Sequence, residues 1–333
     1  MSTFAAVGYY EGREHRINTA KFDPETGIYS GKIHHALVWP ETDAEKKQEL
    51  TDGPRVMFAG HSFTGLWDSA YYYLRELARD AGIRLHIAYS YWGGTGIAHY
   101  AGLVPGCEER AEQADRVFAA NDHYDYCIFA GNSDEAVATA SGRVGAEDYS
   151  QRERMLEGAH ILAGKATQKG AETILWVPQA YRYGFFYDQC RKPAAPGNVG
   201  ATVNIDGRAY TYTMDNRQFT DANLAWYRRM ATSIGGGCRI APVADVYRKM
   251  LTDYPELVNP YLPLGTECGD MGHQNNLGNY IGACVLFGLI LGRSPEGLGI
   301  PASHTFGMPG GAITPEQAAV IQKEAWRSLL SEN

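Results

Sequence analysis

The stretch Val-Met-Phe-Ala-Gly-His-Ser-Phe-Thr, residues 56–64, decides how the chain is read. Its apolar run has the character of a strand buried on both faces, and it stops at Gly60. His61, Ser62 and Thr64 follow at once. A core strand that ends in a hydroxyl calls for a reason beyond packing, and the surrounding sequence supplies one.

Working outward, segments of strand character alternate with segments of helical character. After the strand at 55–60 the spacing predicts a helix over 66–82, with Leu66, Tyr73, Leu74 and Leu77 on one face and Gly82 as its stop. Strands follow at 84–92, 124–131, 172–178 and 238–243, and helices at 107–121, 152–170, 221–234 and 243–254. Strands separated by helices of ten or more residues are joined by crossovers, which makes the sheet parallel and covers both its faces. The expected fold is therefore a three-layer α/β/α sandwich of flavodoxin-like type, over residues 51–293. Residues 1–50 form an N-terminal annex of weak periodicity, and residues 294–333 a C-terminal annex with a helix from about Pro315 capped by Thr314. The very apolar segment 280–292 is shorter than the ~20 residues of a membrane helix and is read as a buried helix.

Bulk properties narrow the function. A chain of 333 residues with 44% hydrophobic content can bury a large core, and a formal charge of -8 without basic runs speaks against nucleic acid or an anionic membrane surface as partner. A small or polymeric neutral substrate suits it better. The six cysteines lack metal-ligand spacing, so a zinc site is not expected. Cys127 and Cys284 fall in apolar runs, whereas Cys107, Cys190, Cys238 and Cys268 fall in loop contexts open to disulfide formation. The first residues show no basic start followed by an apolar stretch, so no signal peptide is read there, and the compartment stays open.

In an open parallel sheet, ligands bind beyond the carboxyl ends of the strands. Three strand ends carry chemistry: Ser62 after the first, Gly93–Gly96 after the second, and Gly131–Asp134 after the third. A nucleophile, a close-approaching backbone amide and a side-chain amide donor are thereby expected to converge. Taken singly, a serine after a strand is as often a helix cap, and a glycine run only a turn. Near the end of the domain Asp270 and His273 stand three apart before the last buried helix, a spacing that suits a base and its orienting acid. Read alone, Asp270 would cap that helix.

Together these blocks resemble the SGNH (GDSL-like) hydrolases, over roughly residues 55–293. The serine block is similar to Gly60–Thr64, with Ser62 as nucleophile. The glycine block resembles Trp92–Gly96, with Gly94, or else Gly93 or Gly96, in the donor position. The Gly-x-Asn block is similar to Gly131–Asn132, and the Asp-x-x-His block to Asp270–His273. Two positions depart from the pattern, with His61 and Ser133 standing where aspartate is usual. Thr64 replaces the last glycine of a Gly-x-Ser-x-Gly elbow, which disfavours the α/β-hydrolase arrangement. The resemblance implies a serine esterase with catalytic Ser62, Asp270 and His273, an oxyanion hole of Ser62, Gly94 and Asn132, and no metal or organic cofactor.

For the substrate, the long interruption at 179–217 is informative. It is aromatic, and residues 202–213 read as a hairpin about Asp206-Gly207. Tyr181, Tyr183, Phe185, Phe186 and Tyr187 either stack on substrate or pack the insertion onto the domain. With 22 tyrosines in the chain and polysaccharide deacetylases common in the family, the expected substrate is an O-acetylated carbohydrate. Two alternatives are an acyltransferase using the same residues and a catalytically silent glycan-binding module.

Overall fold

The structure is a computed structural model that describes residues 4–16, 21–23, 28–30, 41–65, 69–133, 135–136, 152–182, 202–205, 208–211, 215–261, 272–302 and 312–332. Its strands, in chain order, are β1 (Val7–Tyr10), β2 (Arg13–Arg16), β3 (Lys21–Asp23), β4 (Ile28–Ser30), β5 (Thr51–Gly60), β6 (Ile83–Tyr91), β7 (Tyr126–Ala130), β8 (Glu172–Trp176), β9 (Thr202–Ile205), β10 (Arg208–Thr211) and β11 (Arg239–Ala241). The main sheet has the order β11-β8-β7-β5-β6-β1-β2. Every neighbouring pair in it is parallel except β1–β2, which is antiparallel at one edge. The expected three-layer α/β/α sandwich is the observed fold.

Alternation along β5 divides the core. Val56 and Phe58 face one cluster, Met57 and Ala59 the other, and all are at most 1% exposed. The first face is covered by α3 (Ala70–Asp80), α8 (Val243–Asp253), α9 (Asn276–Leu291) and α10 (Pro315–Glu332). The second is covered by α4 (Ile97–Tyr100), α5 (Glu108–Ala120), α6 (Arg152–Gln168) and α7 (Asn216–Ile234). Two short helices, α1 (Asp43–Lys46) and α2 (Ser62–Gly65), complete the set among the described residues. The helix α9 is apolar nearly all round because it is buried nearly all round, as its sequence suggested. Among the described residues no helix is long and apolar enough to cross a membrane.

Helix boundaries differ from the apolar pattern where side chains cap them. The α3 helix starts at Ala70, since the Ser69 hydroxyl accepts from the Tyr72 amide at 3.2 Å, and residues 66–68 lie outside the described residues. The α7 helix starts at Asn216, five residues before the apolar pattern, because Asp215 and Gln218 form a reciprocal capping box. The α9 helix starts at Asn276, capped by the Asn275 side chain, which accepts from the Gly278 amide at 3.2 Å. Asp270, itself outside the described residues, is therefore not the residue that caps it.

Two sequence-level readings gain structure. The weakly periodic N-terminus adds β1 and β2 to the sheet edge beside β6, while β3 and β4 pair separately. The hairpin expected about Asp206-Gly207 is present as the antiparallel pair β9–β10. Cys107, Cys127, Cys238 and Cys284 are free thiols, and Cys190 and Cys268 lie outside the described residues.

Candidate active site

The order of the sheet sets the site. The chain moves from β5 to β6 on one side and then returns to place β7 on the other, so β5 lies at the point where the strand order reverses. At such a point the flanking loops separate and leave a crevice at the carboxyl ends. Ser62 is at the end of β5, Gly94 follows β6, and Asn132 follows β7. The three blocks are therefore neighbours at one edge of the sheet.

Ser62 opens α2, the helical turn that begins as soon as β5 ends. His61 takes the cap position of that turn. Its carbonyl accepts from the Thr64 and Gly65 amides at 2.9 and 3.0 Å, and its Nδ1 accepts from the Phe63 amide at 3.3 Å. With Nδ1 an acceptor, Nε2 carries the proton, which it donates to the Gly131 carbonyl at 2.9 Å. His61 thereby ties the serine turn to the end of β7. Burial pushes the imidazole down to about 4, with the nearby His273 adding to the shift and the Gly131 bond opposing it. His61 is thus neutral near pH 7.

Asn132 is 6% exposed. Its Oδ1 accepts from the Ser133 amide at 3.2 Å, so what its side chain has left to offer is the Nδ2 donor. Ser133, the other departure from the family pattern, donates its hydroxyl to the Gln179 carbonyl at 2.6 Å. In the glycine block, the Gly93 amide points at the Glu11 carboxylate at 3.4 Å and the Gly96 amide donates to His99 Nδ1 at 3.2 Å. Gly94 adopts φ +63, a conformation that favours glycine, and it is exposed. Of the three candidate glycines it is the one whose amide has no hydrogen bond among the described residues.

Side-chain amides bind the histidine segment to the serine turn and to the chain just after β8. Gln274 Nε2 donates to the Ser62 carbonyl at 2.8 Å and to Asn279 Oδ1 at 3.0 Å. Gln179 Nε2 donates to the Gly272 carbonyl at 3.0 Å. The His273 ring lies edge-on to Phe63 with centroids 5.0 Å apart. Among the described residues no hydrogen bond joins the Ser62 hydroxyl to His273; the two segments meet through Phe63 and Gln274. The one sequence signal for these glutamines was position, with Gln179 just beyond the end of a strand and Gln274 beside a candidate base. Asp270 lies outside the described residues, as do Tyr183, Phe185, Phe186 and Tyr187. Tyr181 is 2% exposed and edge-on to Phe219 at 5.4 Å, so its ring packs the core.

No family model and no curated protein sequence matches the chain. Among solved structures, a DUF4886 family protein from Bacteroides uniformis is similar at TM-score 0.55 and 16% identity, over 84% of this chain and 95% of that one. The two share a fold. A candidate SGNH hydrolase from Slackia heliotrinireducens matches more loosely, at TM-score 0.46 and 16% identity over 71% of this chain and 97% of that one. So does an acetylxylan esterase from Geobacillus stearothermophilus, at TM-score 0.45 and 14% identity over 74% and 98%. The α/β/α architecture agrees with the resemblance to a divergent SGNH hydrolase carried by the sequence blocks.

Proposed function

We propose that the chain is a serine esterase acting on an O-acyl group of a neutral, carbohydrate-like substrate. The observation that carries this reading is the position of Ser62 at the sheet's reversal point, one strand from the Asn132 amide and joined through Phe63 and Gln274 to the segment bearing His273.

In this reading Ser62 Oγ attacks the ester carbonyl and His273 takes its proton, then returns a proton to the departing alcohol. Water hydrolyses the acyl-enzyme with the histidine as base again. Asp270 orients the imidazole, and the developing oxyanion is received by the Ser62 and Gly94 amides and Asn132 Nδ2. The looser structural matches include proteins named as acetylxylan esterases, and acetyl transfer to water is the reaction proposed here.

The experiment is hydrolysis of p-nitrophenyl acetate, butyrate and octanoate beside acetylated xylan, pectin and chitin oligosaccharides, with wild type and Ser62→Ala. Release of acetate by wild type alone is the expected result. Absence of hydrolysis by the folded wild type across the panel would overturn the reading.

A further inference from the structure

Glu135 is fully buried, three residues after Asn132, and its carboxylate accepts both from the first turn of α4 and from the backbone after β7. Oε2 accepts from the Asn132 amide at 3.0 Å and from the Ile97 amide at 3.3 Å, while Oε1 accepts from the Ala98 amide at 3.3 Å. Ile97 and Ala98 directly follow the Gly93–Gly96 block. One side chain therefore links the backbone after β6 to the backbone after β7, across the end of β5 where Ser62 stands.

Gly96 makes room for this carboxylate. A Cβ on Gly96 would lie 2.4 Å from Oε2 and 2.7 Å from Oε1, whereas a Cβ on Gly131 would meet the Tyr227 hydroxyl at 2.2 Å before reaching Oε2 at 2.8 Å. Gly96 has φ -124 and ψ -175, an extended conformation open to any residue, so the carboxylate is the reason for a glycine there. Burying a carboxylate is costly unless its oxygens are bonded, and here backbone amides bond them. A polar group placed this way has fixed loop geometry as its return.

We propose that Glu135 is the positioning residue of the oxyanion site, holding the Gly94 loop and Asn132 at one separation on either side of Ser62. This rests on the esterase reading above. Loss of the link lets the two donors drift apart, which weakens transition-state binding more than substrate binding.

The test compares wild type, Glu135→Gln, Asn132→Ala and the double variant on p-nitrophenyl acetate, with the 15N-resolved amide signals of Gly94 and Asn132 recorded in the resting proteins. Glu135→Gln is expected to lower kcat at least ~10-fold with KM within about twofold, and to shift both amide signals. The double variant is expected to lose less than the product of the single losses, since both changes act through the same donor. Gly96→Ala, which displaces the carboxylate without removing it, should repeat the kcat signature if Glu135→Gln does not fold. Unchanged kcat and unchanged amide signals in an otherwise active enzyme would overturn the positioning role and leave the esterase reading intact, as would losses that multiply. A wild type inactive on every ester would instead overturn the esterase reading, and the oxyanion role with it.

Discussion

His61 Nε2 donates to the Gly131 carbonyl at 2.9 Å, binding the turn that carries Ser62 to the strand end that carries Asn132. The bond needs a neutral imidazole whose other nitrogen accepts from the Phe63 amide, and burial keeps it neutral down to about pH 4. This histidine therefore makes stability depend on pH.

The folded protein holds His61 unprotonated, whereas the unfolded chain takes up its proton near pH 6.5. Below 6.5 the unfolded state binds more protons, so stability falls as pH falls, by about 3 kcal/mol between 6.5 and 4, and His61 contributes no further change above 6.5. Urea unfolding at pH 7, 5.5 and 4.5 should show this slope in wild type and a flatter one in His61→Gln. Equal slopes would contradict the assignment.

Ser62→Ala should abolish ester hydrolysis with the melting temperature within a degree or so of wild type, because among the described residues the hydroxyl makes no structural bond. A fluorophosphonate should add one covalent label, mapped by mass spectrometry to Ser62. Turnover by wild type with the label elsewhere would refute a serine acyl-enzyme.

Asn132→Ala removes one side-chain donor while its backbone amide keeps the bond to Glu135. Loss of a single oxyanion donor costs about 10²–10³ in turnover, so kcat should fall by that order with KM little changed. An effect seen in KM alone would make Asn132 a substrate-binding residue.

The cap of α9 is Asn275, which separates structure from catalysis at this end of the site. Asn275→Ala should lower stability by about 0.5–2 kcal/mol. His273→Ala should be nearly inactive, and Asp270→Asn should keep a small measurable rate at an unchanged melting temperature. Full kcat in folded Asp270→Asn would remove that carboxylate from the mechanism.

The succession of strands and helices was legible in the sequence because apolar periodicity is local, a property of residues a few positions apart. The same locality made the serine after β5, the glycines after β6 and the asparagine after β7 stand out, since each interrupts an apolar run. Caps were less legible: Ser69, Asp215 and Asn275 cap through short-range side-chain bonds of a kind that sequence shares with ordinary turns.

Only the tertiary structure decided that these interruptions are neighbours. The position of β7 beside β5, opposite β6, is a choice of long-range pairing that no window of sequence contains. It also decided the fate of Glu135, Gln179 and Gln274, polar residues that a sequence presents as loop surface and that the fold buries completely. Glu135 Oε1, Gln179 Nε2 and Gln274 Nε2 bond backbone groups 37 to 212 residues away, at the Ala98 amide, the Gly272 carbonyl and the Ser62 carbonyl, and those partners exist only once the strand ends have been brought to one edge.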